Sequence, residues 1–131
     1  MDREEINQGM PSTREFMLSH AIMHNYEYTM EISGQIGLDS RTGKLASGIE
    51  AETRQALSNI EEILTKVGWR FGDIVKVRIF VTSMRNYQKV NEVCTRKFIR
   101  ELPAVTVVGV NELPMGASVE IECTAAGNYK K

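Results

Sequence analysis

Only two cysteines occur, Cys94 and Cys123, with no CxxC pair and no Cys/His spacing around either. That excludes a disulfide framework and a cysteine-based zinc site, and it fits a reducing compartment. Positive charge is not in excess, since sixteen Lys and Arg stand against seventeen Asp and Glu. Nucleic acid is therefore not expected as a partner, because phosphate binding rests on a basic surplus. No run of about 18 apolar residues exists, so no membrane span is expected. The acidic start Met1-Asp2-Arg3-Glu4-Glu5-Ile6 lacks the apolar stretch of a signal peptide. The expectation is a soluble cytoplasmic protein. GxGxxG, HExxH and GxSxG signatures are missing, as is any repeat or Gly/Ser/Pro-rich linker. These absences leave a single domain over residues 1–131 with no cofactor implied.

What is present is a globular composition: 131 residues, 42% hydrophobic and 25% charged. Met1 to about Ser12 is polar and reads as a loose arm. Phe16–Met23 and Tyr26–Ser33 read as strands joined through a His24-Asn25 turn, and Asp39–Gly43 as a loop of turn formers. Ala56, Leu57, Ile60, Ile63, Leu64 and Val67 recur at helical steps, predicting a helix over Ile49–Val67 that stops at Gly68. Ile74–Val81 is a β-branched strand with Val75, Val77, Ile79 and Val81 on one face and Lys76, Arg78 and Phe80 on the other. A second helix is predicted over Asn86–Arg100, with Tyr87, Val90, Val93, Cys94 and Phe98 inward, closed by Pro103. Ala104–Val110 and Ser118–Ala125 are the last strands. The order ββαβαββ defines an α+β fold, two helices against one sheet. Two helices cover one face only, so the other meets solvent or another subunit.

Candidate chemistry is sparse. Ser33-Gly34-Gln35 is either a nucleophile or a strand-end turn in which Gly34 permits close backbone approach. His20 and His24, four apart in a strand, stand about 13 Å apart, too far to share a metal. Glu120 and Glu122 share a side of the last strand. Paired carboxylates there suit acid–base work if one is desolvated, or form a solvated face. Arg85, Lys89, Arg96, Lys97 and Arg100 on the second helix suggest either an anionic partner or a solvated face. Trp69-Arg70-Phe71 is a binding patch or packing at the end of the first helix.

Several stretches occur together: Ser19-His20-Ala21, Ile32-Ser33-Gly34-Gln35-Ile36, Thr53-Arg54-Gln55-Ala56-Leu57 with Asn59-Ile60, and Asp73-Ile74-Val75-Lys76-Val77 leading to Phe80-Val81-Thr82. Val90-Asn91-Glu92-Val93, Pro103-Ala104 and the run Leu113 to Glu122 follow. In this order they resemble the Rid family (YjgF-like, also called endoribonuclease L-PSP). The resemblance implies a chorismate-mutase-like fold: one mixed sheet with two helices on one face, in a homotrimer whose sheets face inward. A small molecule would bind in the clefts between subunits.

Active members of that family hydrolyse 2-imino or enamino acids to 2-oxo acids and ammonia. Their Pro-Ala-Arg motif grips the substrate carboxylate through a planar, bidentate guanidinium. Here the stretch reads Pro103-Ala104-Val105, a frequent cysteine is Val107, and a frequent tyrosine is Leu18. Arg14, or an arginine from another subunit, is the substitute on offer. The resemblance makes Glu120 the catalytic residue that handles water, and Leu18, Ser33, Gly34, Asn91, Val105 and Val107 the ligand-lining set. Two functions follow: a C–N hydrolase (deaminase) of altered specificity, or a non-catalytic trimer that binds a metabolite or a protein. RNA cleavage, suggested by the older family name, is disfavoured by the balanced charge.

Overall fold

The computed structural model describes residues 2–8 and 18–128. Its elements are β1 (Arg3–Ile6), β2 (Ala21–His24), β3 (Tyr28–Gln35), β4 (Leu38–Asp39), β5 (Lys44–Leu45), α1 (Ile49–Thr65), β6 (Ile74–Val81), α2 (Tyr87–Thr95), β7 (Ala104–Gly109) and β8 (Val119–Gly127). The central sheet runs β3-β8-β6-β7. It is mixed: β6 and β7 are parallel and linked through α2, while β8 is antiparallel to both β3 and β6. The α+β order expected from the sequence is present, with two helices on one mixed sheet.

The core follows from alternation in the strands and 3.6-residue steps in the helices. Val77, Ile79 and Val81 of β6 and Val119, Ile121 and Cys123 of β8 are buried on one face. Ala56, Leu57, Ile60 and Leu64 of α1 and Val90, Val93 and Cys94 of α2 close over them in one cluster. Each fully buried aliphatic side chain contributes about 1.5–3 kcal/mol. Regular α1 ends at Thr65, and Gly68 adopts φ +78. There Trp69 N–H donates to Leu64 O at 3.0 Å, a glycine stop of the expected kind. Trp69 and Phe71 are buried just beyond, and the Phe71 ring meets Phe98 edge-on at 5.3 Å.

Three expectations are corrected. First, Arg3–Ile6 are not a loose arm. They pair antiparallel with β2, because their polar side chains find backbone partners far along the chain. Arg3 Nη1 donates to Gly72 O at 2.6 Å and Nη2 to Leu102 O at 3.3 Å, while Glu5 Oε2 accepts Leu102 N–H at 3.1 Å. Second, the first two expected strands do not pair with each other. β2 takes β1 as its partner and β3 takes β8. Beyond His24, Asn25 N–H donates to Asp2 O at 3.0 Å. The Asp39–Gly43 loop is the turn of the small β4–β5 hairpin. Third, α2 stops at Thr95 rather than Arg100. Cys94 O accepts both Lys97 and Phe98 N–H, and the chain after that is held by tertiary bonds. Leu102 O accepts Ser19 Oγ at 2.7 Å, and Ser19 N–H donates to Pro103 O at 2.8 Å. Met1, residues 9–12 of the expected arm, Arg14, and Phe16 and Met17 of the first expected strand lie outside the described residues.

Candidate active site

The face of the sheet away from the helices carries the polar set. Cross-strand register aligns Glu120 of β8 with Phe80 of β6, and Phe80 with Val108 of β7. The next row is Glu122, Arg78 and Thr106, and the third is Thr124, Lys76 and Ala104. Lys76 Nζ donates to Thr106 Oγ1 at 2.7 Å. Partial burial, with Arg78 as a second cause, holds the Lys76 ammonium below its ordinary value. Thr124 Oγ1 donates to Glu31 Oε1 at 2.7 Å.

Glu120 is half-buried and has a notch beside it. The β3–β8 register slips between Ile32 and Gln35, so Ser33 and Gly34 bulge together opposite Glu122. The bulge brings Gly34 under the Glu120 carboxylate, and a Cβ added at Gly34 would come 2.7 Å from Glu120 Cδ. A side chain at this position would displace the Glu120 carboxylate from where it now lies. The strand-end turn expected at Ser33-Gly34-Gln35 is thus a bulge inside β3, and what approaches Gly34 is a side chain. The Glu120 carboxylate fills the space that a side chain at position 34 would take, and its cross-strand neighbour on β6 is Phe80.

The remaining candidates are not gathered at Glu120. Val105 pairs with Val77 and Val107 with Ile79, so both point to the helix-covered side and pack against the core cluster. Leu18 sits at the outer edge of β7, next to Ser19, which bridges to Ala104. Asn91 lies on α2, and its Oδ1 is buried. Within one chain, Gly34 and Glu120 therefore form one group on the open face, while Leu18, Asn91, Val105 and Val107 belong to the edge and the covered side. Neither the 510 Å³ cleft beside Phe71 and Phe98 nor the 320 Å³ cleft between β3 and α1 includes Glu120.

Other sequence candidates have structural uses. His20 Nδ1 accepts Gln8 N–H at 2.7 Å and His24 Nδ1 accepts Tyr26 N–H at 3.3 Å. Lys97 reaches Glu61 at 3.8 Å. Burial pushes the thiols of Cys94 and Cys123 up to about 12. Among the described residues, no helix is long and apolar enough to cross a membrane. One residue of interest carries no sequence signal of its own: Glu52 reads as an ordinary acid in a helix's first turn.

An α+β chain with a mixed sheet, helices on one face, and a glycine bulge against a strand carboxylate on the other defines the class of fold. Comparison with known proteins is more specific. The family model described as endoribonuclease L-PSP matches residues 14–127. A RutC family protein of Aquifex aeolicus is 41% identical over 96 residues, covering 72% of this chain and 77% of that protein. A 2-iminobutanoate/2-iminopropanoate deaminase of Mus musculus is 41% identical over 98 residues, covering 74% and 73% respectively. A Rid-family crystal structure from Yersinia pestis superposes with TM-score 0.86 at 29% identity, covering 96% of this chain and 99% of that one. The chain belongs to the Rid (RutC, endoribonuclease L-PSP) family.

Proposed function

We propose that this protein is a C–N hydrolase of the Rid type whose preferred substrate is an imine or enamine without a free α-carboxylate. The observation that carries the reading is the pairing of the Gly34 notch with the Glu120 carboxylate on the open face, alongside valine at position 105. Glu120 takes a proton from water as its oxygen bonds to the imine carbon and the C=N electrons move to nitrogen. Glu120 returns that proton to the nitrogen to give the neutral carbinolamine, which then collapses: its hydroxyl proton passes by way of Glu120 to the nitrogen, the C–N bond breaks, the C=O bond forms and NH3 leaves. Base catalysis of this sort is worth about 10²–10⁴-fold.

Valine offers no donor to a carboxylate, and removing one partner of a buried charge pair costs about 2–5 kcal/mol. It does suit a neutral group. The split of the ligand set between two sides of the sheet favours a homotrimer, in which the β7 edge of one subunit meets the open face of the next and closes the cleft. The partly exposed Val108 and half-buried Phe80 on that face supply apolar contact for such packing. Two buried free thiols suit the cytoplasm. No cofactor enters this chemistry, and the partner is a small molecule.

The test is ammonia release from 2-iminobutanoate and from its uncharged carboxamide, both generated in situ. Wild type should favour the carboxamide. Val105→Arg should move the preference toward the carboxylate by roughly 30-fold or more. A wild type that favours the carboxylate, with a ratio unmoved by Val105→Arg, contradicts the altered specificity. No release from either imine by either protein favours the second reading, a trimer that binds without catalysis.

A further inference from the structure

Glu52 is a buried acid that the chemistry above leaves unused. It is 4% exposed, in the first turn of α1. A buried carboxylate persists only where hydrogen bonds replace water. Here Oε1 accepts Ser118 N–H at 2.8 Å, two residues before Glu120. The carbonyl of the same Ser118 accepts Thr82 N–H at 3.1 Å, just past the end of β6. On its other side the Glu52 backbone seats against Gly37, where an added Cβ would come 2.6 Å from Glu52 Cα. Gly37 follows the Gly34 bulge by three residues. The contacts close a ring: Gly34 lies under the Glu120 carboxylate, Gly37 abuts Glu52, and Glu52 grips the entry to β8.

We propose that Glu52 is a positioning residue for Glu120, an inference that rests on Glu120 being the base of the proposed hydrolysis. Glu52 fixes where β8 starts relative to where β3 ends, and so sets the placement of the Glu120 carboxylate over the Gly34 notch. A charge-assisted bond to a backbone N–H is shorter and stronger than a neutral one, which suits a single anchor at a strand entry. Misplacement on the ångström scale at a reacting group lowers turnover far more than binding.

Three variants separate this role from plain stability. Glu52→Gln keeps an acceptor at the same reach, Glu52→Asp keeps the charge but withdraws it, and Glu52→Leu removes the acceptor at similar volume. The readouts are Ser118 amide exchange, the ¹³Cδ signal of Glu120, and kcat and KM for the faster of the two imines. In the Asp and Leu variants, Ser118 exchange should rise about tenfold or more, with the Glu120 signal displaced. Their kcat should fall about tenfold with KM within about twofold. The Gln variant should stay within about threefold of wild type in every rate. A folded Asp or Leu variant with an unmoved Glu120 signal and wild-type kcat overturns the proposal, as does a Gln variant as impaired as Leu. If wild type turns over neither imine, the hydrolase reading fails by itself and the NMR readouts decide. A displaced Glu120 signal reversed by Gln supports the positioning role, and an unmoved one refutes it.

Discussion

The two faces of the central sheet are built from the same strands to opposite specifications. Along β8, Val119, Ile121 and Cys123 go under the helices, while Glu120, Glu122 and Thr124 alternate with them onto the open face. The covered face is apolar and closed by elements of this chain. The open face holds a carboxylate, a glycine bulge, a lysine–threonine bond and an aromatic ring, and among the described residues no helix covers it. Burial is concentrated on one side, and the carboxylates and the lysine lie on the other.

The strongest way to break this division is to truncate neighbours on β6. Ile79 has no exposed surface. Ile79→Ala should cost about 2–5 kcal/mol in urea denaturation, with turnover per folded molecule unchanged. Phe80→Ala, one residue on, should cost less than that and lower turnover instead. Equal losses of stability from both would erase the contrast between the faces.

Gly34→Ala sharpens the comparison at a single methyl group. The added Cβ overlaps the Glu120 carboxylate, so that side chain must move. Imine turnover should fall by about tenfold, with the thermal midpoint nearly unchanged because the open face leaves room for displacement. Wild-type turnover in this variant would remove the notch from the site.

A change of pH probes the covered face alone. Burial raises the Cys94 thiol from an ordinary 9.0 to about 12, so the folded chain holds its proton more tightly than the unfolded one. That contribution to stability is fully present below pH 9 and is lost as pH rises toward about 12. Denaturation midpoints measured between pH 8 and 12 should fall over this window, and at pH 8 a thiol reagent should modify Cys94 and Cys123 only as fast as the chain opens. Rapid modification of the folded protein would contradict their burial.

The covered face was the readable one. Alternating valine and isoleucine in Ile74–Val81, the helical steps from Ala56 to Leu64 and the Gly68 stop are local patterns, and local periodicity is enough to place them. Glu120 and Glu122 were also readable as sharing a side. What escaped depends on contacts between distant residues. Arg3–Ile6 looks like a polar arm because its anchors, Gly72 and Leu102, lie about a hundred residues or less along the chain. The partner of β3 could not be read because β8 is the last strand. The family resemblance gives Glu120 as catalytic and Gly34 as one of six lining residues, and the slipped register that brings these two together is tertiary. Val105 and Val107 follow the same rule: their covered-side placement comes from pairing with Val77 and Ile79.

The most direct test of the account compares adjacent residues of β8, Glu120→Gln and Ile121→Ala, for imine turnover per folded molecule and for thermal midpoint. Glu120→Gln should lose about 10²-fold or more in turnover at an unchanged midpoint. Ile121→Ala should lose stability while each folded molecule keeps its rate. A Glu120→Gln protein that still turns over imine at the wild-type rate would contradict the assignment of the open face as the site of chemistry.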